Sequence, residues 1–329
     1  MRVALAEELG GPEVLVTREL PDPVAAPGEV LIDVAYVDTI FVETQIRSGG
    51  FREVFPVQVP YVPGGGVAGT VAATGEGVDT SWTGRRVIAS VGFSGGYAER
   101  ATAPAHVLVP VPDGLGLREA AALVHDGVTA LALLGSTAPK PGERVLVLGA
   151  SGGMGTLLVQ LAHAAGAHVV AVARGERKTA LVRELGADTV IDGAAADWVE
   201  RTRTALADAG GPADVVLDGV GGQMGLAALS LVADGGRFSA HGAPTGGFAP
   251  VDPAEAARRS ITLLGIGDVQ LSDAEHVRLA GLALTEAAAG RLRPVIGEVF
   301  PLERAARAHA AIEARSLLGK VLLTTTRSD

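Results

Sequence analysis

Residues 145–155 read Val-Leu-Val-Leu-Gly-Ala-Ser-Gly-Gly-Met-Gly, and this stretch is the strongest local motif of the chain. An apolar run leads into closely spaced glycines, and apolar residues with helical spacing follow over Met154–Ala165. Glycines at a strand-to-helix turn let the backbone approach a diphosphate, which then rests on unpaired N–H groups at the helix N-terminus. Ala150 holds the first position of the dinucleotide fingerprint, and Gly152 and Gly155 hold the others. The stretch therefore predicts a dinucleotide-binding loop rather than an ordinary glycine-rich turn.

The segments around and after this loop alternate between short apolar runs and helical patterns. The predicted strands are Val145–Leu148, Val169–Ala173, Thr189–Ile191, Val215–Asp218, Arg237–Ala240 and Thr262–Ile266. Short, wholly apolar strands that alternate with helices indicate a parallel sheet that is covered on both faces. The fold class is therefore predicted as α/β, with a doubly wound parallel sheet.

The first third of the chain has a different pattern, in which predicted strands follow one another without helices between them. Short strand-like runs, divided by glycine- and proline-rich turns, are Val3–Ala6, Val14–Glu19, Leu31–Tyr36, Val67–Thr74, Arg86–Ser90 and Tyr97–Ala103. A single helix is predicted over Ala120–Leu134, and Val321–Thr325 indicates a late return to strands. We therefore expect a β-rich domain over residues 1–118, a nucleotide-binding domain over 119–290 inserted into it, and a return to the β-rich domain over 291–329.

The composition narrows the classes of function. The 329 residues carry a net charge of −10, which argues against a nucleic-acid surface, because phosphates demand clustered cations. The chain has no cysteine, so disulfides and thiolate-bound metals are excluded. The N-terminus has Glu7 and Glu8 where a signal peptide would be apolar, and the uncharged stretch 145–173 is too rich in glycine for a bilayer span. We expect a cytoplasmic protein with no nucleic-acid or membrane partner.

The end of the second predicted strand distinguishes between the two nicotinamide cofactors. An enzyme that uses NAD usually places Asp or Glu there to hold the ribose 2′-hydroxyl. This chain reads ARGERK over 173–178, with Arg174, Arg177 and Lys178 in place of a carboxylate at the strand end. Cations are the partners that a 2′-phosphate needs. The sequence favours NADPH over NADH, although a solvated helix start, or pairing of Glu176 with one of the cations, would account for the same residues.

These residues, together with motifs along the rest of the chain, resemble the zinc-independent quinone oxidoreductase branch of the medium-chain dehydrogenase/reductase superfamily. The resemblance covers almost the whole length and rests on the order and spacing of short motifs: GGPEV at 10–14, PGEVL at 27–31, IRSG at 46–49, PGGGVAG at 63–69, GEGV at 75–78, GGYA at 95–98, VPDG at 111–114, KPGERVLV at 140–147, ELGAD at 184–188, VLDGVGG at 216–222 and GKVLL at 319–323. It implies a GroES-like first domain, a Rossmann domain, and a homodimer whose contact is the edge strand Thr262–Ile266.

The resemblance also implies which residues hold the cofactor. The diphosphate would lie on residues 151–155, the 2′-phosphate on the three cations, and the rest of the nucleotide along the ends of the later strands. The expected cofactor contacts are Thr129, Ala150, Ser151, Gly152, Gly153, Met154, Gly155, Arg174, Arg177, Lys178, Asp218, Val220, His241, Gly242 and Lys320.

Departures from the family patterns carry further information. The catalytic zinc ligands of zinc-containing relatives map near Ile40, Gly65 and His125. Ile40 and Gly65 have no side-chain donor, and a catalytic zinc needs three protein ligands, so we expect no metal. Family members often have Asn near position 40 and Tyr at position 45, where this chain has Ile40 and Gln45. A further family tyrosine is replaced around Asp192, which leaves the substrate open.

These expectations describe an NADPH-dependent reductase that transfers a hydride to a conjugated carbonyl compound, either a quinone or an enone. His125 is the only side chain predicted as a general acid, and water is the other proton source. A hydrogen-bonding role near the domain junction is the simpler explanation of His125 and its neighbour Asp126. The expected substrate contacts are Ile40, Gln45, Phe51 and Phe93. Two alternatives remain: an enone reductase of a specialised, polyketide-like pathway, and a non-catalytic NADPH-binding protein with a structural or regulatory role.

Overall fold

The computed structural model of the chain describes residues 1–326. The chain folds into two compact units, each of which makes most of its residue contacts within itself. One is formed by Met1–Val128 together with the chain from Leu271 onward, and the other is formed by Thr129–Gln270. We call them the β-rich unit and the nucleotide unit. The divisions fall after residues 128 and 270, where the sequence predicts 118 and 290.

The helices and strands have the following bounds. The strands are β1 (Arg2–Ala6), β2 (Leu15–Glu19), β3 (Glu29–Thr39), β4 (Gly66–Thr74), β5 (Arg86–Ser90), β6 (Arg100–Pro104), β7 (Val109–Pro110), β8 (Arg144–Leu148), β9 (His168–Ala173), β10 (Thr189–Asp192), β11 (Ala213–Asp218), β12 (Val232–Ala240), β13 (Thr262–Gly265), β14 (Ile296–Pro301) and β15 (Lys320–Thr324). The helices are α1 (Phe41–Arg47), α2 (Leu117–Ala121), α3 (Asp126–Thr137), α4 (Gly153–Ala164), α5 (Glu176–Glu184), α6 (Trp198–Asp208), α7 (Gly222–Leu229), α8 (Pro253–Arg258), α9 (Asp273–Ala288) and α10 (Ala305–Glu313).

The nucleotide unit is built on a six-stranded sheet in the order β10-β9-β8-β11-β12-β13, in which all neighbouring strands are parallel. The central strands are apolar and fully covered, as Val145, Val169 and Val215 illustrate with no exposed surface. The chain leaves β8 toward one edge of the sheet and returns to the other edge through β11. Ligands of such sheets bind outside the carboxyl ends of the strands where the order reverses. The predicted doubly wound parallel sheet is confirmed.

The β-rich unit contains a seven-stranded sheet that the two ends of the chain build together. Its order is β14-β15-β3-β4-β5-β7, and β6 also pairs with β3. The late strand β15 is antiparallel to the early strand β3, with Leu322 opposite Asp38 and Val321 opposite Thr39. This pairing accounts for the expected return of the chain to the β-rich domain, and it brings residues near position 320 beside residues near position 38.

The helix α9 explains why the second division falls before residue 290. It packs against β7 and against the 3₁₀ turn Ala105–Val107, and both belong to the β-rich unit. In the described part of the chain, no helix combines the length and the apolar character needed to cross a bilayer.

The strand β13 forms an edge of the six-stranded sheet, and among residues 1–326 its only strand partner is β12. The strand ends at Gly265, and Ile266 begins a 3₁₀ turn and is 38% exposed. The homodimer expected through Thr262–Ile266 stays a prediction.

One predicted helix is wrong. The sequence predicts a continuous helix over Ala120–Leu134, whereas the structure has α2 and α3 with a turn between them at residues 122–125. The backbone N–H of His125 donates a hydrogen bond of 3.1 Å to the carboxylate of Asp38. An acceptor 87 positions away in the chain leaves no trace in the local apolar pattern, so the break was not predictable from that pattern. His125 therefore lies directly before α3 and not within a helix.

Candidate functional site

The glycine loop after β8 has the geometry of an anion-binding turn. Gly149 has φ +69°, a conformation that glycine adopts without strain. The N–H of Ala150 donates to the carbonyl of Val172 at 3.1 Å, which fixes the loop to the neighbouring strand β9. Gly152 is the N-cap of α4, and no side chain caps this helix. The N–H groups of the first helical turn have no intrahelical acceptor, so they are available to a ligand anion.

Two glycines of this loop serve different purposes. A Cβ atom at Gly155 would collide with the carbonyl oxygen of Gly149, so this glycine lets the helix approach the strand closely. A Cβ atom at Gly152 would have the Gly149 oxygen, 3.5 Å away, as its nearest neighbour. The protein therefore leaves space in front of Gly152, and the loop residues fit the diphosphate of a dinucleotide.

The predicted cations lie at the carboxyl end of β9, the strand next to β8. Arg174 and Arg177 are exposed and Lys178 is half-buried. The carboxylate of Asp192, at the end of β10, accepts hydrogen bonds from the N–H groups of Ala194 and Gly175 at 2.9 and 3.1 Å. These two hydrogen bonds lower the pKa of Asp192, and the charge of Arg174 lowers it further. Asp192 thus holds the turn from which the cations extend.

The carboxyl ends of β11 and β12 lie side by side. The backbone carbonyl of Asp218 accepts hydrogen bonds from the N–H groups of His241 and Gly242, and its Oδ1 accepts from Val220 and Gly221. The Asp218 Oδ2 is buried and has no hydrogen-bond partner in the described residues, and burial raises the pKa of this carboxyl group. Burial also lowers the pKa of His241 to about 4, so its imidazole is neutral at pH 7. Four of the predicted contacts therefore form one local structure, beside the β8 loop in the same sheet.

Thr129, the remaining contact expected in the nucleotide unit, lies in the first turn of α3 and is half-buried. Its predicted role stays a prediction.

The β-rich unit contains a compact charged cluster around His125. The Nδ1 of His125 lies 2.7 Å from Oδ2 of Asp38, which is fully buried. The other oxygen of Asp38 lies 2.5 Å from the Nζ of Lys320, and Lys320 also pairs with Asp126 at 3.0 Å. We call these four residues the Asp38–His125 cluster. Lys320, expected on the cofactor, has its ammonium group between two carboxylates and is 4% exposed, so we propose a role for it inside this cluster.

The members of the cluster shift each other's proton affinity. Burial by itself would raise the pKa of Asp38, but the charges and hydrogen bonds of Lys320 and His125 lower it below its usual value. Burial likewise opposes the charged form of His125, yet the hydrogen bond and charge of Asp38 raise its pKa overall. Burial raises the pKa of Asp126. The pKa of Lys320 is raised, because its two carboxylate partners outweigh burial.

A second buried network lies beside the first. Glu43, in the first turn of α1, accepts hydrogen bonds from the N–H groups of Ile40 and Gly65 and from the hydroxyl of Tyr97. The same hydroxyl lies 2.8 Å from Nε2 of His309. Burial raises the pKa of Glu43 and lowers that of His309 to about 3. Neither this network nor the role of Asp38 was predicted from the sequence.

The residues that map to a catalytic zinc site do not form one. Ile40 and Gly65 offer no donor side chain, and the Nδ1 of His125 is engaged by Asp38. Within residues 1–326, no group of three His, Cys, Asp or Glu side chains could hold a metal ion.

The predicted substrate contacts are spread over two segments of the β-rich unit. Ile40 and Gln45 lie at the start and middle of α1, and both are half-buried. Phe51 follows α1 in a turn with φ +53°. Phe93 is 38% exposed, and its ring packs edge-on against Phe55, with the ring centroids 4.6 Å apart. Phe55 was not among the predicted substrate contacts, and it forms an aromatic pair with Phe93.

Replacing Gly66 by alanine is expected to push His125 away from Asp38. A Cβ atom at Gly66 would lie 2.9 Å from Cε1 and 3.0 Å from Nδ1 of the imidazole, and 2.8 Å from Val124. Overpacking of this kind costs about 1–3 kcal/mol, which urea unfolding would measure. Gly135→Ala is the matched control, because Gly135 is exposed within α3 and has no atom within 4 Å of an added Cβ. That control should be stabilised by about 0.5–1 kcal/mol. Equal effects of the two substitutions would contradict the packing argument.

Two family models match the chain. The model described as "Alcohol dehydrogenase GroES-like domain" matches residues 26–113. The model described as "Zinc-binding dehydrogenase" matches residues 153–275. The first match lies in the β-rich unit, and nearly all of the second lies in the nucleotide unit.

Known proteins match the chain over nearly its full length. Rat (Rattus norvegicus) quinone oxidoreductase is 34% identical over 326 residues, which cover 98% of this chain and 97% of that protein. A mycobacterial protein solved in complex with NADPH is 33% identical, with a TM-score of 0.89 and coverage of 98% of this chain and 100% of its own. A structure described as an NAD-dependent alcohol dehydrogenase is 30% identical, with a TM-score of 0.88 and coverage of 99% and 100%. The descriptions of these two structures name different nicotinamide cofactors.

Proposed function

Because this chain belongs to the quinone oxidoreductase branch of the medium-chain dehydrogenase/reductase superfamily, we propose that it reduces a conjugated carbonyl compound, a quinone or an enone, with NADPH. One observation carries this proposal above the others. No side chain caps the helix after the glycine loop, and the space around Gly152 is open. Cations follow the adjacent strand, and no carboxylate precedes Glu176 at that strand end. A diphosphate and a 2′-phosphate are the anions that such a pair of sites binds.

The nucleotide unit would hold the cofactor through its own backbone and cations. The N–H groups of residues 153–155 would bind the diphosphate, and Arg174, Arg177 and Lys178 would bind the 2′-phosphate. The neutral imidazole of His241 and the backbone around Asp218 and Gly242 would line the remaining path. When bound, the reduced nicotinamide supplies the hydride.

The β-rich unit would supply the substrate contacts and the proton. Hydride addition to a conjugated carbonyl leaves negative charge on the substrate oxygen, which needs a hydrogen-bond donor or a proton. Ile40 and the aromatic residues Phe51 and Phe93 would present an apolar surface to a conjugated ring, and Gln45 a polar amide. His125 is the donor that we propose. Alcohol oxidation is disfavoured because Ile40 and Gly65 have no side-chain donor atom with which to hold a zinc ion, the Lewis acid that would acidify the alcohol.

Removal of the cations is expected to change cofactor choice. Arg174→Ala and Lys178→Ala should each weaken NADPH binding about 10- to 100-fold, because a hydrogen bond to a charged group contributes about 1.5–3 kcal/mol. NADH binding should change by less than about 2-fold, because NADH lacks the 2′-phosphate. Fluorescence titration of both cofactors measures the two constants.

Arg183→Ala is the control for these two substitutions, because Arg183 is exposed in the last turn of α5, the helix that contains Lys178. It should leave both affinities unchanged. Equal losses for NADPH and NADH in the Arg174 and Lys178 variants would remove the assignment of these cations to a 2′-phosphate.

The catalytic part of the proposal is tested by NADPH oxidation with benzoquinone, phenanthrenequinone and cyclohexenone as acceptors. Turnover with any of them supports a reductase, and the ranking separates quinone from enone reduction. Tight NADPH binding without turnover, on these acceptors and on polycyclic enones, would favour the non-catalytic alternative. Turnover of polycyclic or carrier-bound enones alone would favour a reductase of a specialised pathway.

A further inference from the structure

A single carboxylate oxygen holds both the backbone and the side chain of His125. The Oδ2 of Asp38 accepts the backbone N–H of His125 at 3.1 Å and lies 2.7 Å from its ring Nδ1. Because an ionised carboxylate only accepts hydrogen bonds, Nδ1 must carry a hydrogen. The other ring nitrogen, Nε2, is therefore the atom at which His125 can release or take up a proton.

The Asp38–His125 cluster is balanced in charge only when His125 is protonated. Asp38 and Asp126 are then matched by Lys320 and by the imidazolium, and all the ion-pair distances lie between 2.5 and 3.0 Å. Loss of the proton from His125 would leave one negative charge in excess in a buried site, which costs free energy. The charge of Lys320 thus favours ionised Asp38, Asp126 pairs with Lys320, and Asp38 favours the imidazolium.

Other titratable groups that face His125 act in both directions. The charge of Glu43, from α1, raises its pKa, as Asp38 does. Lys320, from β15, lowers it. His276, from α9, is close enough to His125 that the charge of His125 lowers the pKa of His276, after the larger effect of burial. His125 donates its direct hydrogen bond to Asp38, and Asp38→Asn removes the negative charge from this contact.

Two glycines, Gly65 and Gly66, leave the space that the imidazole of His125 occupies. Added Cβ atoms at Gly65 and Gly66 would lie 3.3 and 2.9 Å from Cε1 of His125, so any larger residue at Gly66 would displace the ring. The side chain of His125 keeps 17% of its surface exposed, whereas Asp38 has none. The ring is therefore fixed at one nitrogen and retains some exposed surface.

We propose that Asp38 is a positioning residue that fixes His125 with its Nε2–H as the proton donor of the reduction, and that Lys320, itself paired with Asp126, holds Asp38 in place. This inference rests on the proposed function. In the step, one hydride from the nicotinamide brings two electrons to the substrate. The Nε2–H bond breaks, an O–H bond forms on the substrate oxygen, and neutral His125 takes a proton back from water.

Nuclear magnetic resonance of the cofactor-free protein tests the positioning directly. In ¹⁵N-histidine-labelled protein, the signals that disappear in His125→Gln identify this residue. We expect neutral His125 to carry its hydrogen on Nδ1, the rarer tautomer, and Asp38→Asn to lower the pKa of His125. A neutral Nε2–H tautomer in the wild type would overturn the inference, and this measurement needs no variant of Asp38 to fold.

Steady-state kinetics with NADPH and phenanthrenequinone tests the chemical role. His125→Gln should lower kcat on the order of 100-fold, and Asp38→Asn about 10- to 100-fold, with little change in KM for NADPH. Because kcat should fall as pH rises through the pKa of His125, Asp38→Asn should move that fall to lower pH. A loss caused only by misfolding would lower kcat equally at every pH.

The exposed pair His106 and Asp273 provides the control. Its Nε2–Oδ2 distance is 3.0 Å, and both side chains are more than half exposed. Asp273→Asn should leave kcat, its pH profile and the resonances of His125 unchanged. Unchanged kcat and pH profile in Asp38→Asn would overturn the inference, whereas absence of turnover in the wild type would refute the proposed function and, with it, the role in catalysis.

Discussion

Replacing Gly152 by valine is expected to abolish cofactor binding while the protein remains folded. The backbone of Gly152 has φ −77° and ψ 172°, a conformation that valine adopts readily, and the nearest atom to an added Cβ is 3.5 Å away. The loss of stability should therefore be about 1 kcal/mol or less, the cost of a poorer helix cap. The valine side chain would instead occupy the space proposed for the diphosphate. Affinity for NADPH and NADH should both fall at least about 100-fold, or about 3 kcal/mol.

The neighbouring Gly155 supplies a contrasting variant. An alanine there meets the Gly149 carbonyl and the Ala150 backbone, so Gly155→Ala should lower the free energy of unfolding rather than act on binding alone. Isothermal titration with each nucleotide, together with urea unfolding, separates the two effects. A Gly152→Val protein that binds NADPH as tightly as the wild type would contradict the assignment of the loop.

The second large effect is expected from Lys320→Met, on stability. This substitution leaves the carboxylates of Asp38 and Asp126 close together and buried, without the ammonium group between them. Removing one partner of a buried ion pair costs about 3–5 kcal/mol. We expect a loss of this size in the free energy of unfolding at pH 8, measured by urea unfolding. Lys140→Met, at an exposed lysine, should change stability by less than about 0.5 kcal/mol.

The loss caused by Lys320→Met should shrink as the pH falls. Without the ammonium group, burial raises the folded-state pKa of both carboxyl groups above the unfolded values. Groups of this kind favour the folded state below their unfolded pKa, and that contribution is lost as pH rises through the folded pKa. In the wild type, the pKa of Asp38 is lowered, so its contribution is instead lost as pH falls. The wild type and the variant should therefore differ less at pH 5 than at pH 8; an equal difference at both would contradict the ion-pair account.

The nucleotide unit could be predicted from the sequence because its signals are local. The apolar run Val145–Leu148, the glycines after it and the helix that follows lie within about 20 consecutive residues, and each obeys a backbone rule. The cations at 174–178 are equally local. The observed strands differ from the predicted ones mainly at their ends, as in β12, which begins at Val232 and not at Arg237.

The Asp38–His125 cluster could not be predicted in the same way. Its members come from β3, the turn before α3, the first residue of α3, and β15. Only the antiparallel pairing of β3 with β15 brings Lys320 to Asp38. The sequence did contain one signal, the carboxylate of Asp38 between Val37 and Thr39 at the end of β3, a position that the structure buries. Such a residue needs a buried partner, but the sequence does not say which one.

A crystal structure of the complex with NADPH tests the central claim most directly. We predict that the diphosphate oxygens lie within hydrogen-bond distance of the N–H groups of residues 153–155, and that the 2′-phosphate contacts at least one of Arg174, Arg177 and Lys178. A nucleotide bound elsewhere, or a loop whose N–H groups are occupied by the protein's own side chains in the complex, would contradict the account.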